Sequence, residues 1–312
     1  MTLLHLLLAT TASAGLSLDV SSPQQSVLVG EPVKLVVRWK AEQDLQRVIL
    51  ERGLFDEGSL SFVVDDGRQP KTYREIPHTT LCREIFHGGM KKGAVTVTNL
   101  ILVQGRYEGE GPRGWGGFLF RAPGTYSVKV VYTDPHSDLS ATSSALRFTV
   151  TEPSDEDREI LEAAKARPMM LGRLGDRESQ AKVKDLIERH PRSPYLRYTR
   201  LRVLEARLSN PDRDLAPDKL ERLRRYDREG LDRYRAEQQQ EIADAVSAET
   251  GWGPFEEEAL ALAIEAAWQT GGKEKADRAG AELVRKYPDS ATVWEMQERA
   301  AKSRRPSPAP PR

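Results

Sequence analysis

A chain of 312 residues is long enough for about two domains. Lys+Arg and Asp+Glu total 47 each, and a split at Pro153 leaves 16 of each sign before it and 31 of each after, so neither part has the positive excess that nonspecific nucleic-acid binding needs. The single cysteine, Cys82, excludes an intrachain disulfide framework, so each fold has to come from burial alone.

The chain opens on an apolar run at 3–9, followed by small residues ending in Ala12-Ser13-Ala14. The pattern predicts a signal peptide over 1–14, cleaved to leave Gly15 first, with no lipobox cysteine after it. The run is too short to span a bilayer, and no later run is long and apolar enough. The expected location is periplasmic or extracellular, with no transmembrane segment after cleavage.

From 15 to 152 the rhythm is period two. Runs at 16–20, 33–39, 45–50, 60–64, 95–103, 118–120, 126–133 and 145–150 give about eight strands separated by turn residues, which predicts an antiparallel β-sandwich. Val33, Leu35, Val37 and Trp39 fall on one face. Two stretches depart from a minimal sandwich. Residues 65–92 are of mixed polarity and predict a long loop or an extra hairpin. Residues 105–117 hold a glycine-rich run with Tyr107, Arg113 and Trp115. That run lacks the endings a phosphate-cradling loop requires, and a strand follows it. It reads as a flexible connection or as a loop offering Tyr107, Arg113 and Trp115 to a partner, because Tyr, Arg and Trp are common interface anchors.

Ala122-Pro123-Gly124-Thr125-Tyr126 entering a late strand resembles the tyrosine corner of immunoglobulin-like and fibronectin-like domains. Val29-Gly30-Glu31-Pro32-Val33 is similar to the second-strand entry of bacterial Ig-like modules. The resemblance implies an Ig-like β-sandwich whose Tyr126 hydroxyl bonds back to the main chain. It implies nothing about activity.

At Thr151-Glu152-Pro153 the rhythm changes to every third or fourth residue, and 153–303 reads as α-helical hairpins. Pro153-Ser154 followed by Asp155, Glu156 and Asp157 is a helix start. Helices are expected over 176–188 and 196–208, the latter apolar on two sides. A long helical pattern runs through Leu220, Leu223, Tyr226, Leu231 and Ile242, and another helix covers 255–268. Leu186-Ile187-Glu188-Arg189-His190-Pro191-Arg192-Ser193 returns 97 residues later as Leu283-Val284-Arg285-Lys286-Tyr287-Pro288-Asp289-Ser290. Together with Ala276, Gly280 and Leu283, matched by Ser179, Val183 and Leu186, this end resembles the close of a tetratricopeptide unit. The resemblance implies a TPR-like solenoid, and an irregular bundle fits the same pattern. Residues 304–312 form a Pro-rich tail expected to be disordered.

Charge is uneven along the helical part. Residues 189–235 hold 14 basic and 8 acidic side chains, whereas 236–272 hold eight acidic and no basic ones. That contrast fits intramolecular pairing or a charged groove for a partner. Glu256-Glu257-Glu258 reads as a solvated helix start. His78, Cys82 and His87 could hold zinc, but their spacing matches no standard zinc site, and no nucleophile motif surrounds Cys82. The expectation is therefore a non-enzymatic exported protein acting on a protein or cell-envelope partner, with no catalytic residue, cofactor or metal. The alternative is a metal-dependent enzyme or metal-binding protein built on His78, Cys82 and His87.

Overall fold

The computed structural model describes residues 15–51, 60–75, 84–110, 117–134, 137–166, 171, 177–248, 251–288, 290 and 292–293, with the backbone alone at 47–51, 75, 84–88, 177–179, 213–214 and 248. The expected leader and tail lie outside the described residues. A β-rich part is followed by helices, in two compact units, Met1–Tyr195 and Leu196–Arg312. Among the described residues no helix is long and apolar enough to cross a membrane.

Among the described residues twelve strands run in chain order: β1 Leu16–Ser21, β2 Ser26–Leu28, β3 Val33–Ala41, β4 Leu45–Glu51, β5 Leu60–Asp65, β6 Lys71–Glu75, β7 Glu84–Met90, β8 Val95–Leu102, β9 Gly105–Tyr107, β10 Gly124–Thr133, β11 Ser140–Thr142 and β12 Leu146–Thr151. They form a three-stranded sheet, β1-β3-β8, and a seven-stranded sheet, β2-β12-β10-β5-β6-β9 with β11 also on β10. A two-stranded ribbon, β4-β7, completes the set. All pairings between these strands are antiparallel except β2 with β12. On β3, Val33, Leu35, Val37 and Trp39 lie fully inside on one face, and Lys34 between the first two is buried as well. On β10 it buries Tyr126, Val128, Val130 and Tyr132. Trp39 meets Tyr132 edge to face at 5.3 Å, joining the inner faces of the two larger sheets. Each such side chain contributes roughly 1.5–3 kcal/mol of transfer free energy.

Two expectations are corrected here. The triplet Phe118-Leu119-Phe120 is not a strand. It follows a single bridge between Gly105 and Gly117 and joins no strand ladder, with all three side chains buried. The stretch 65–92 is not one hairpin, because β6 extends the large sheet and β7 pairs with β4.

The turn between β2 and β3 fastens helices to strands. Gly30 has φ +78°, and a Cβ there would lie 2.7 Å from Leu161 and 2.9 Å from Phe118. Val29 N–H donates to the Thr151 carbonyl (3.0 Å) and Gly30 N–H to that of Phe120 (3.1 Å). The buried Tyr195 hydroxyl donates to the Val29 carbonyl, and burial pushes that phenol's pKa up. Glu31 and Gln24 close the turn from below. Glu31 accepts from Leu28 N–H (2.8 Å) and from Gln24 (3.2 Å), whose own amide oxygen takes Lys34 N–H (2.7 Å). The Tyr126 hydroxyl donates back to the Ala122 carbonyl at 2.9 Å.

Among the described residues seven α-helices follow: α1 Asp155–Ala166, α2 Arg177–Arg189, α3 Pro194–Ser209, α4 Pro217–Tyr226, α5 Arg228–Ala248, α6 Glu256–Gln269 and α7 Lys273–Lys286. Ser154 caps α1, accepting from Asp157 N–H at 3.1 Å. The long pattern read from Leu220 to Ile242 is two helices. Asp227 ends α4 and caps α5 through Gly230 N–H at 2.8 Å. In the second unit α6 packs against α5 and α7 around Ile264, Leu283 and Val293.

The 97-residue echo extends to side-chain wiring. His190 N–H bonds Leu186 (2.8 Å) and Tyr287 N–H bonds Leu283 (2.8 Å). Arg189 pairs with Glu159 (2.7 Å) and Lys286 with Glu256 (2.6 Å). A His190 ring nitrogen lies 3.1 Å from Glu159, and the Tyr287 hydroxyl donates to Glu256 at 2.8 Å. Val183, Leu186, Ala276, Gly280 and Leu283 are buried, while the Ser179 side chain is outside the described atoms.

Gly30→Ala should lower the unfolding free energy of fragment 15–195 by roughly 2–4 kcal/mol, because a left-handed backbone and an overlap with Leu161 and Phe118 add. Urea melts check this, and Tyr195→Phe should cost about 1–2 kcal/mol by the same measure. The Arg189 and His190 hydrogen bonds hold the Glu159 carboxyl down to about 2, from an ordinary 4.5. A depressed carboxylate stabilises the fold above its unfolded value and loses that contribution as pH falls. Glu159→Gln should therefore flatten the acid limb of a melting-temperature profile between about pH 5 and pH 2, with wild type and variant converging at the acid end.

Candidate functional site

The glycine-rich run is a loop with a fastened base. β9 pairs with β6, opposing Tyr107 to Tyr73, Arg106 to Arg74 and Gly105 to Glu75. The run's two ends, Gly105 and Gly117, exchange both main-chain hydrogen bonds at 2.9 and 2.7 Å. Gly105 is required there, since a Cβ would overlap the Arg74 carbonyl and the Tyr73 ring.

Tyr107 fills this base. Its ring meets Tyr73 edge-on at 5.2 Å, and the Arg121 guanidinium covers it at 4.9 Å. Its hydroxyl donates to the Leu119 carbonyl, and its N–H donates to Glu110 at 3.1 Å. Burial raises the phenol's pKa against the opposing effect of Arg121. Glu110 and Arg121 form a two-pronged pair, one prong at 2.9 Å, which lowers the carboxyl and raises the guanidinium. Tyr107 is thus half-buried with its hydroxyl turned inward. Arg113 and Trp115 lie outside the described residues. Glu110, Arg121 and Tyr73 were not singled out from sequence; the one available signal was an acid inside the glycine run and a base just after it.

The other candidates are placed as follows. His78 and Cys82 lie outside the described residues. His87 is on β7 opposite Ile49, and nothing is described of its side chain. Glu256-Glu257-Glu258 is not a solvated start: Glu256 takes Lys286 and Tyr287, and Glu257 is only 4% exposed. Ser193, His190 and Asp157 gather between α1 and α3, but Ser193 donates to Asp157 (2.6 Å) while the His190 ring faces Glu156 and Glu159. That wiring caps helices and does not activate a hydroxyl. Among the described residues no group of three or more His, Cys, Asp or Glu side chains is arranged to hold a metal ion.

Acids of the 236–272 block pair within the second unit, one with the basic block and two with lysines beyond it. Arg207 faces Glu241 (3.4 Å), Lys275 faces Asp244 (3.1 Å) and Lys286 faces Glu256. The nearly buried Asp212 receives Arg235 (2.6 Å) and Arg224 (3.4 Å), which hold its carboxyl down.

No protein-family model matches the chain, and no curated protein matches it. Among solved structures it is similar to a CARDB domain from Pyrococcus furiosus in complex with di-metal ions, at 10% identity and TM-score 0.24, over 46% of this chain and all of that one. It is also similar to the sporulation control protein of Bacillus subtilis (12% identity, TM-score 0.26), over 49% of this chain and 56% of that one. A β-glucosidase from Listeria innocua matches at 11% identity and TM-score 0.23, over 43% of this chain and 16% of that one. Likenesses at these TM-scores carry no argument about fold or chemistry.

Tyr107→Phe should destabilise the first unit by about 1–2 kcal/mol, since the Leu119 carbonyl is left without its donor. Glu110→Gln should cost less, under about 1 kcal/mol, because the Arg121 pair is half-exposed and screened. Chemical denaturation of the purified variants ranks the two, and a larger loss for Glu110→Gln would refute the arrangement.

Proposed function

We propose that the protein is a non-enzymatic exported protein that binds a protein or cell-envelope component, with an Ig-like module followed by a TPR-like helical module. The single observation that carries this reading is the fastened base of the glycine-rich loop. A loop whose two ends are hydrogen-bonded, whose first aromatic is packed between Tyr73 and Arg121, and whose flanking charges are paired is the way a rigid scaffold holds a recognition segment. Arg113 and Trp115 sit in the sequence between those ends, and both are residue types that anchor interfaces. The Tyr126–Ala122 bond supports the Ig-like assignment, and the twice-used helix closure supports the TPR-like one. The leader pattern supports export to a periplasm or beyond.

Two measurements test the reading together. The mature chain recovered from cells should begin at Gly15 and fractionate with periplasmic or secreted proteins; an intact Met1 in the cytoplasm would overturn export. The immobilised protein should retain a specific component of an envelope extract. Trp115→Ala with Arg113→Ala should weaken that retention by about 30-fold or more, the scale of a lost hot spot. Retention unchanged by the double variant, or none at any ionic strength, would refute binding through this loop.

A further inference from the structure

Helix α4 is amphipathic in sequence, yet none of its residues is buried. Leu220 and Leu223 are half-covered, and Tyr226 is 76% exposed, the most open of the large hydrophobic side chains among the described residues. The charges of the helix divide into two sets. Arg224 reaches Asp212 and Arg225 reaches Glu221. Lys219 and Arg222 are exposed and have no partner among the described residues. Spacings of three, four and seven residues place Lys219, Arg222, Leu223 and Tyr226 on one side of the helix. Arg228, Arg233, Lys273, Arg278 and Arg285 elsewhere in the unit are exposed as well, so what sets α4 apart is that its two cations flank the most open aromatic side chain among the described residues.

We infer that this side of α4 docks an acidic segment of a partner protein, with Tyr226 as the apolar anchor and Lys219 and Arg222 receiving its carboxylates. Charge complementarity selects the occupant. Two unmatched cations beside a solvated aromatic and a half-covered leucine make up the residue types enriched in interface cores and rims. An anionic bilayer is the weaker fit, because a ten-residue helix that also carries Asp218 and Glu221 offers only two free cations on this side, and membrane-surface helices carry longer basic faces. The inference rests on reading the chain as an interaction protein, and it adds where on the helical unit a partner sits and what chemistry it brings.

The test places a photo-crosslinking benzoylphenylalanine at Tyr226 of the full chain in the cells that make it, with a second probe at the half-exposed Trp268. Illumination should give a protein adduct at 226 whose crosslinked peptide carries net negative charge. The yield should fall about tenfold or more in Lys219→Glu/Arg222→Glu and persist in Lys219→Arg/Arg222→Lys. Both pairs change only solvated side chains, and thermal melts within about 2 °C of the parent verify that the fold is kept. An adduct to lipid, to a neutral or basic peptide, or one indifferent to charge reversal overturns the inference. No adduct at 226 overturns it as well. If the Trp268 probe captures a protein while 226 does not, docking on α4 fails alone; if neither probe captures one and the immobilised protein retains no envelope component, the interaction reading fails with it.

Discussion

The first unit depends on one turn that has no space for a side chain. Val29 and Gly30 sit where the end of β12, the buried segment after the glycine-rich loop, helix α1 and the first turn of α3 converge. Both N–H groups and the Val29 carbonyl are taken by three different parts of the chain. Gly30 can be there only because it tolerates φ +78° and lets Leu161 and Phe118 close over it. A buried backbone carbonyl without a donor costs about as much as a lost hydrogen bond, so the Tyr195 hydroxyl is part of the folding arithmetic of the turn. The strands end at Thr151, but the compact unit runs on to Tyr195: these contacts hold α1 and the start of α3, and Arg189 ties the end of α2 to Glu159 of α1.

Much of this was legible in sequence where the signal is local. Gly30-Glu31-Pro32 announces a turn, and the alternation from Val33 to Trp39 places four side chains that prove to be fully buried. Gly124-Thr125-Tyr126 announces a strand entry and an inward hydroxyl, and Ser154 announces a cap. The misses come from elements too short or too irregular for a period to show. β2, β9 and β11 have three residues each, and a period of two cannot be read from three positions. Phe118 to Phe120 leave the ladder after one bridge, and three apolar residues in a row read equally well as a buried strand. The break at Asp227 was hidden because Asp is an ordinary helix-surface residue until its carboxylate turns to cap the next helix.

The candidate site was legible in composition and not in wiring. A glycine run with Tyr107 inside it marks a loop, but which side chain faces inward depends on Tyr73 and Arg121, far away in sequence. The charge blocks of the helical part were visible as blocks. The partners of the acidic block were not, because Arg207–Glu241, Asp244–Lys275 and Glu256–Lys286 each join different helices, and no i,i+4 rule reaches across them.

The echo at 97 residues shows what the sequence keeps when it changes letters. Arg189 and His190 in one place become Lys286 and Tyr287 in the other, yet both pairs return to a glutamate at the same separation, Glu159 or Glu256. Exposed ion pairs of this kind add little free energy, so strength is a poor reason for using the arrangement twice. Register is a better one. The end of an α-helix presents four carbonyls without partners and a chain about to turn, and Pro191 and Pro288 forbid the helix to continue. A cation and a ring donor fastened to one carboxylate on the earlier helix leave the closing turn a single angle at which to depart. Ser193 and Ser290 then lie within hydrogen-bond reach of the residue three positions back, at 3.1 and 3.0 Å, so two different sequences exit their hairpins by the same path.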